Sequence, residues 1–315
     1  MRPFSNILFV ASPGTDDSVA LNQAVAIATA NHAQLTVVGV IDDVGKNTRA
    51  PRYKPNALRH AMIEQRRDEL ASLISGKTPA GSTIDVKVLV GKVFLEIIRE
   101  VQQYQHDLVI KSAESIERVS HLFGSTDLSL LRNCPSPVWI VKSTQQQGYR
   151  KIVAAVDYDP ENHTVDDLNG QILELATSIA LAEFAELHVV HAWRLPHESF
   201  LRSPRTAITN DEVDTMVEKE KMERRHWLNL LIATHCAEAA DYLEPKIQLP
   251  EGSARHWVPT LVREIDAELV VMGTVGRTGI PGFVIGNTAE TILNQIDCSV
   301  LTVKPPGFTS PVTEA

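Results

Sequence analysis

A chain of 315 residues is long enough for two ordinary domains, each with its own core. Hydrophobic residues make up 43% of it and charged residues 22%, the balance of a soluble globular protein. A formal net charge of −9 excludes a general nucleic-acid binder, which needs a basic stripe to release counterions, and no apolar run approaches a membrane span.

In chain order, residues 7–11 (ILFVA) read as a strand and residues 18–31 as a helix, with Leu21, Val25 and Ala28 at helical spacing. Residues 35–41 (LTVVGVI) are a second strand, 42–52 a polar loop and 56–74 a charged amphipathic helix. A strand over 84–90, a helix over 94–104, a strand over 108–111, a helix over 122–133 and a strand over 138–141 complete the pattern. Strands alternating with helices of these lengths predict a parallel sheet covered on both faces. Residues 143–150 (STQQQGYR) are polar and without apolar periodicity, as a linker is.

The pattern then restarts. IVAAV at 152–156 answers ILFVA at 7–11, and HVVHAW at 188–193 answers the strand that begins at Thr36. ELVVM ending at Met272 answers DLVIK ending at Lys111, and ILNQIDCSVLTVK answers LLRNCPSPVWIVK position for position. A period of roughly 150 residues is too long for a solenoid and predicts two homologous domains in tandem, 1–142 and 151–304. The second carries an extra segment, about 196–211, and the tail from 305 to 315 is expected to be loose. Cys134, Cys236 and Cys298 lie far apart with no CxxC, which suits a reducing cytosol and small apolar fillers.

The most informative stretch is VVMGTVGRTGIPGFVIGNT, 270–288. An apolar strand ends at Gly273, Gly276 follows, and Gly286, Asn287 and Thr288 precede a new apolar helix. Asn287 with Glu290 has the form of a capping box, so the helix is expected to start at Asn287. A helix start presents free N–H groups and a positive dipole end, which suit phosphate. No lysine follows Gly286, so this is not a Walker A loop, and it follows a late strand, so it is not a dinucleotide fingerprint. The spacing Gly-x2-Gly-x9-Gly, with GTVGRTG and GNTAE, resembles the nucleotide loop of the universal stress proteins, and the tandem wording resembles their E-type bacterial branch. That resemblance covers almost the whole chain twice. It implies a flavodoxin-like or adenine-nucleotide-hydrolase-like α/β fold, five parallel strands per half, with the last strands of the halves paired in an internal pseudo-dimer. It also implies a cytoplasmic stress-response protein that binds ATP or another adenine nucleotide, with Mg²⁺ on the phosphates, for an unknown protein partner; a homodimer fits the family habit.

Carried over residue by residue, the resemblance places Asp157 on the nucleoside and Ala192 at the base. Gly273, Gly276 and Gly286 shape the pocket, and Asn287, Thr288 and Arg277 meet the phosphates. Asn287 departs from the Ser or Thr that the family usually has after the third glycine, a difference of one γ-phosphate hydrogen bond, worth about 1 kcal/mol. In the first half, Ser12 stands where Asp157 does, and Ser112 and Ser115 replace Gly273 and Gly276. A serine cannot replace the two acceptors of a carboxylate. Where a loop needs left-handed backbone, each Gly-to-Ser exchange costs roughly 1 kcal/mol. Nucleotide binding is therefore expected in the second half only.

Other patterns carry less. SPGTDDS at 12–18 has the outline of a pyrophosphate loop but has proline at the second glycine and Asp17 where serine is needed. His188 and His191 point to opposite faces of a strand, and His226 and His235 to opposite sides of a helix, so neither pair makes co-ligands. No Ser–His–Asp, HExxH or Gly-x-Ser-x-Gly pattern is present, which leaves at most slow ATP hydrolysis. Two further readings stay open: a scaffold protein that uses no nucleotide, and a first half that binds another amphipathic metabolite beside Ser12, Ser112 and Ser115.

Overall fold

The computed structural model describes residues 4–43, 55–77, 83–114, 123–142, 148–159, 163–274 and 286–313. The first half contains β1 (Asn6–Ala11), α1 (Ser18–Asn31), β2 (Gln34–Ile41), α2 (Pro55–Ile74), β3 (Ile84–Val90), α3 (Val93–Tyr104), β4 (Leu108–Ser112), α4 (Ser125–Asn133) and β5 (Val138–Val141). The second contains β6 (Lys151–Ala155), α5 (His163–Glu183), β7 (Glu186–Val190), the short α6 (Glu198–Leu201), α7 (Asn210–His235) and β8 (Lys246–Gln248). It ends with α8 (Ala254–Glu264), β9 (Leu269–Gly273), α9 (Asn287–Leu293) and β10 (Ser299–Val303).

All ten strands form one sheet in the order β3-β2-β1-β4-β5-β10-β9-β6-β7-β8. Within each half neighbouring strands are parallel and ordered 3-2-1-4-5, so the switch point lies between the first and fourth strands. β5 and β10 pair antiparallel, Trp139 opposite Leu301. Helices cover both faces, which is why strands such as ILFVA are apolar on both sides rather than alternating. One core cluster packs under α1, α2, α5 and α7, the other under α3, α4, α8 and α9, and each contains residues of both halves.

The duplication extends to detail. Leu21, Ala24 and Ala28 of α1 match Leu173, Ala176 and Ala180 of α5, all buried, because short side chains let a helix lie close on the sheet. Both helices then end on a left-handed residue, His32 at φ 53° and Phe184 at φ 54°. The three cysteines are buried and free, and burial pushes the Cys134 and Cys298 thiols up to about 12.

Two expectations change. The end of the expected linker is anchored: Tyr149 is buried, its ring centroid 5.6 Å from that of Trp139 at the seam between the halves. The tail is not loose as far as residue 313. Val312 is buried against the first half, Gln102 of α3 donates to its carbonyl at 3.1 Å, and Arg99 reaches the Thr313 carbonyl. A single apolar residue and two carbonyls make that anchor, too little to produce a periodic pattern. Among the described residues, no helix is long and apolar enough to cross a membrane.

Candidate functional site

The parallel strands of the second half end together at the switch point between β6 and β9, where open α/β sheets place their ligands. Asp157 lies two residues beyond β6, Ala192 two beyond β7, and Gly273 closes β9. Gly286 caps α9, and Asn287 and Thr288 are its first two residues. Six of the eight expected residues therefore share one end of one half; Gly276 and Arg277 lie outside the described residues. The capping box is corrected: Gly286, not Asn287, is the cap, and Glu290 instead pairs with Arg132 of α4 across the halves. With Gly286 at the cap, the third helical residue is Ala289, so Glu290 lies one residue past the place from which a side chain reaches back to the cap. Gly273 has a packing reason, since a Cβ there would come within 2.7 Å of the Leu168 side chain on α5.

Sequence reasoning missed Asn169. It is buried in the first part of α5, its Oδ1 accepting the Asp157 amide at 3.0 Å and its Nδ2 donating to the Asp157 carbonyl at 2.6 Å. Both backbone groups of residue 157 are thereby fixed, and the Asp157 carboxylate stands exposed at the strand end, accepting the Tyr158 amide at 2.9 Å. The first-half counterpart of Asn169 is Asp17, also buried, whose Oδ2 accepts the Ser12 amide at 2.9 Å. Each half thus holds one carboxylate at this point: exposed on the strand end in the second, buried at the cap of α1 in the first. Burial pushes Asp17 up, against Ser112, Lys111 and Arg66, which favour its charged form. The repeat shows Asp157 in the place of Ser12, but the second half is longer between the strand and the buried helix position, so the match of Asn169 with Asp17 emerges only when the helices are placed.

A second exchange lies over the neighbouring strand. His191 takes the place of Gly39, and Trp227 that of Arg66, each one helical turn before a buried leucine, Leu231 and Leu70. His191 Nδ1 lies 3.3 Å from the Val156 carbonyl, and Trp227 packs edge-on against both His191 and Tyr158. The Arg224 guanidinium sits 3.7 Å from the Tyr158 ring centroid. In the first half, Arg66 instead crosses Gly39 and donates to the matching Ala11 carbonyl at 2.9 Å. A Cβ on Gly39 would collide with that guanidinium.

The first-half strand ends are filled by their own charges. Lys111 Nζ donates to Asp127 Oδ1 at 2.8 Å, and the two side chains are 1% and 0% exposed. Asp127 Oδ2 accepts the Glu114 and Gly124 amides at 2.8 and 3.2 Å. The Glu114 carboxylate lies on the start of α4, accepting the Thr126 amide at 3.2 Å, where a Cβ on Gly124 would land on it. A carboxylate of the chain itself therefore occupies the N-terminus at which a phosphate would bind. The second half has Met272 and Ala289 in place of Lys111 and Asp127.

The ends of the second-half loop are tied to the other half. The Gly286 amide donates to the Thr274 carbonyl at 2.8 Å, and buried Thr274 receives Lys304 Nζ on its hydroxyl. Lys304 also donates to the Leu131 and Arg132 carbonyls at 2.7 and 2.9 Å, capping the end of α4. Burial pulls its ammonium down to about 7. The unfolded chain keeps that proton up to about 10.4. Folding is therefore increasingly favoured as pH rises from about 7 towards about 10, and that gain is lost as pH falls through about 7. Lys304→Met removes this slope. The melting temperature of the unsubstituted protein minus that of the variant is expected to rise between about pH 6.5 and about pH 9; a flat difference contradicts this assignment.

Comparison with known proteins agrees with this architecture. Residues 3–142 and 148–304 each match the model of the universal stress protein family. The chain is 31% identical to universal stress protein E of Escherichia coli K12 over 319 residues, covering 99% of this chain and 98% of that one. It is 30% identical to universal stress protein E of Salmonella typhi, with the same coverage. Among solved structures, a functionally unknown protein of Pseudomonas aeruginosa PAO1 aligns at TM-score 0.65 and 26% identity, over 96% of this chain and 93% of that one. A universal stress protein of Archaeoglobus fulgidus shares the fold at TM-score 0.61 and 17% identity, over 95% and 98%. Two matched segments and near-complete coverage by these relatives make this chain a member of the universal stress protein family, built as a tandem of two of its domains.

Proposed function

We propose that the second half binds an adenine nucleotide as a regulatory ligand and that the first half binds none. The supporting observation is Asp157, held through its own backbone by Asn169 at the switch point, with its carboxylate exposed at the same end of the sheet at which β9 closes on Gly273. The carboxylate accepts ribose or base donors, the aromatic wall of Tyr158, Trp227 and His191 borders the nucleoside, and the amides of Asn287 and Thr288 meet phosphate. Mg²⁺ enters with the phosphates. Arg277 and Gly276 belong to this reading through the family pattern alone.

Because Thr274 and Glu290 are bonded to Lys304 and Arg132, a ligand held at the start of α9 also loads the contact with α4. The nucleotide then changes the surface offered to a protein partner, which is regulation without chemistry. The first half favours a scaffold role for itself, since Arg66 and Glu114 occupy the places of nucleoside and phosphate.

Calorimetric titration with ATP, ADP and AMP in the presence of Mg²⁺ tests this. Saturable binding is expected, weakened at least tenfold, or about 1.4 kcal/mol, by Asp157→Ala. Asn169→Asp is expected to weaken it as well, by putting a buried carboxylate beside Asp157 and removing the donor to its carbonyl. A flat isotherm for all three nucleotides sinks the proposal.

A further inference from the structure

Three lysines are buried among the described residues: Lys111, Lys142 and Lys304, at 1%, 6% and 6% exposure. A buried charge is normally paired. Lys111 has Asp127 at 2.8 Å. Lys142 reaches from the end of β5 to the turn after α9, where Asp297 Oδ1 lies 3.6 Å from its Nζ. Lys304 holds the matching position at the end of β10 and reaches the end of α4 in the same way. The repeat puts Pro135 where Asp297 stands, and among the described residues no carboxylate is paired with Lys304.

Its three hydrogen-bond partners suit either protonation state. The Leu131 and Arg132 carbonyls accept from the two N–H groups of a neutral amine, and the Thr274 hydroxyl either accepts from an ammonium or donates to an amine. Neutral Lys304 therefore keeps every contact, and burial draws it towards that form near neutral pH. The carbonyl end of α4 and the Phe308 ring, its centroid 4.9 Å from Nζ, favour the ammonium weakly. Cys134 at the end of α4 is neutral, since burial pushes its thiol up to about 12, and Arg132 is matched by Glu290 of α9. One full negative charge is missing. Lys304 also stands at the second-half strand ends: Val303 is opposite Gly273, and Thr274, which receives the lysine, accepts the Gly286 amide.

We propose that the ligand of the second half supplies the missing counter-charge, so that Lys304 takes up a proton as an anionic ligand binds. This rests on the reading of these strand ends as a nucleotide site and adds a linkage to it. A nearby anion favours the charged form, so the lysine keeps its proton to higher pH in the complex than in the free chain. Affinity is then highest where free Lys304 is already charged, and falls as pH rises from about 7 towards about 9. A site of this kind reads acidification together with nucleotide.

The test is calorimetric titration of the full chain with ADP and Mg²⁺ at about pH 7.5, in HEPES and in Tris, whose ionisation enthalpies differ. The difference between the two apparent enthalpies gives the protons taken up. About 0.5 proton per nucleotide is expected, with affinity falling at least about threefold between about pH 7 and about pH 9. Lys304→Met and Lys304→Gln, the second of which keeps donors for the α4 carbonyls, are expected to take up none. Both should bind at every pH as the unsubstituted chain does at about pH 9. Binding without uptake overturns the linkage and leaves the nucleotide site standing. So does uptake that persists in both variants, which would assign the proton to another group of the site such as His191. Loss of binding in both variants at every pH overturns it as well, since Lys304 would then be a structural requirement and not a proton acceptor. No binding to the unsubstituted chain at any pH overturns the linkage and the nucleotide site together.

Discussion

Asp127→Ala is expected to destabilise the chain by about 3–5 kcal/mol, because it takes the nearest counter-charge from the buried Lys111 ammonium and leaves it only the Glu114 carboxylate, 4.0 Å away and partly exposed. Both members of the pair are essentially sealed from water, and burial pushes Asp127 up while Lys111 opposes the shift. A buried pair is weak evidence for stability, since desolvation offsets most of the attraction, but breaking one side exposes the full cost of the other. The second half already contains the apolar solution, Met272 and Ala289, in the same fold. Lys111→Met with Asp127→Ala should therefore lose much less than Asp127→Ala alone. The remainder belongs to the Glu114 and Gly124 amides, which lose their shared acceptor, at about 1–3 kcal/mol for the buried Gly124 amide and less for the part-buried Glu114 amide. Urea denaturation of the two variants decides it. A double variant no more stable than the single one would mean that Asp127 acts through those amides and not through Lys111.

Trp139→Ala should cost about 3–5 kcal/mol, the range for emptying a large aromatic site in a core. Trp139 is fully buried in β5, opposite Leu301 of β10 and against Tyr149, so the cavity opens between the halves rather than inside one. Each core cluster holds residues of both halves, and the loss should therefore lower the stability of both in one transition. Trp193, Trp227 and Trp257 report on the second half by fluorescence, and amide exchange in β1 and β2 reports on the first. Coincident shifts are expected. Second-half fluorescence that stays at the midpoint of the unsubstituted protein, while β1 loses protection, would show two independent units.

The strands, the duplication and the degraded first half were legible because they rest on long apolar runs and on residues repeated at matching positions. Met272 for Lys111 and Asp157 for Ser12 are visible in a one-line alignment of the two halves. Asn169 was not, because a buried asparagine in a helix looks like any polar helix residue until its partner, a backbone amide and carbonyl, is placed beside it. Arg66 was hidden differently. Its role comes from the absence of a side chain at Gly39, and only the register of β2 against α2 shows that the one makes room for the other. The misplaced cap at Asn287 followed from reading Glu290 as a local partner. Its actual partner, Arg132, is in the other half, and no pattern along the chain announces a contact of that range.

The antiparallel contact of β5 with β10 has a consequence for assembly. In a separate half, β5 or β10 would be an edge, open to pairing with another copy at a strength set by concentration. Joining the halves in one chain makes that pairing intramolecular, with an effective concentration fixed by the connection and not by expression level. The seam persists at any dilution. The edges that remain are β3, which carries Asp85 and Lys87, and the three-residue β8. A short edge and a charged edge both discourage strand addition. The duplication has thus paired the two strands that a single half would leave open, and the two edges left over are poor templates for adding another copy.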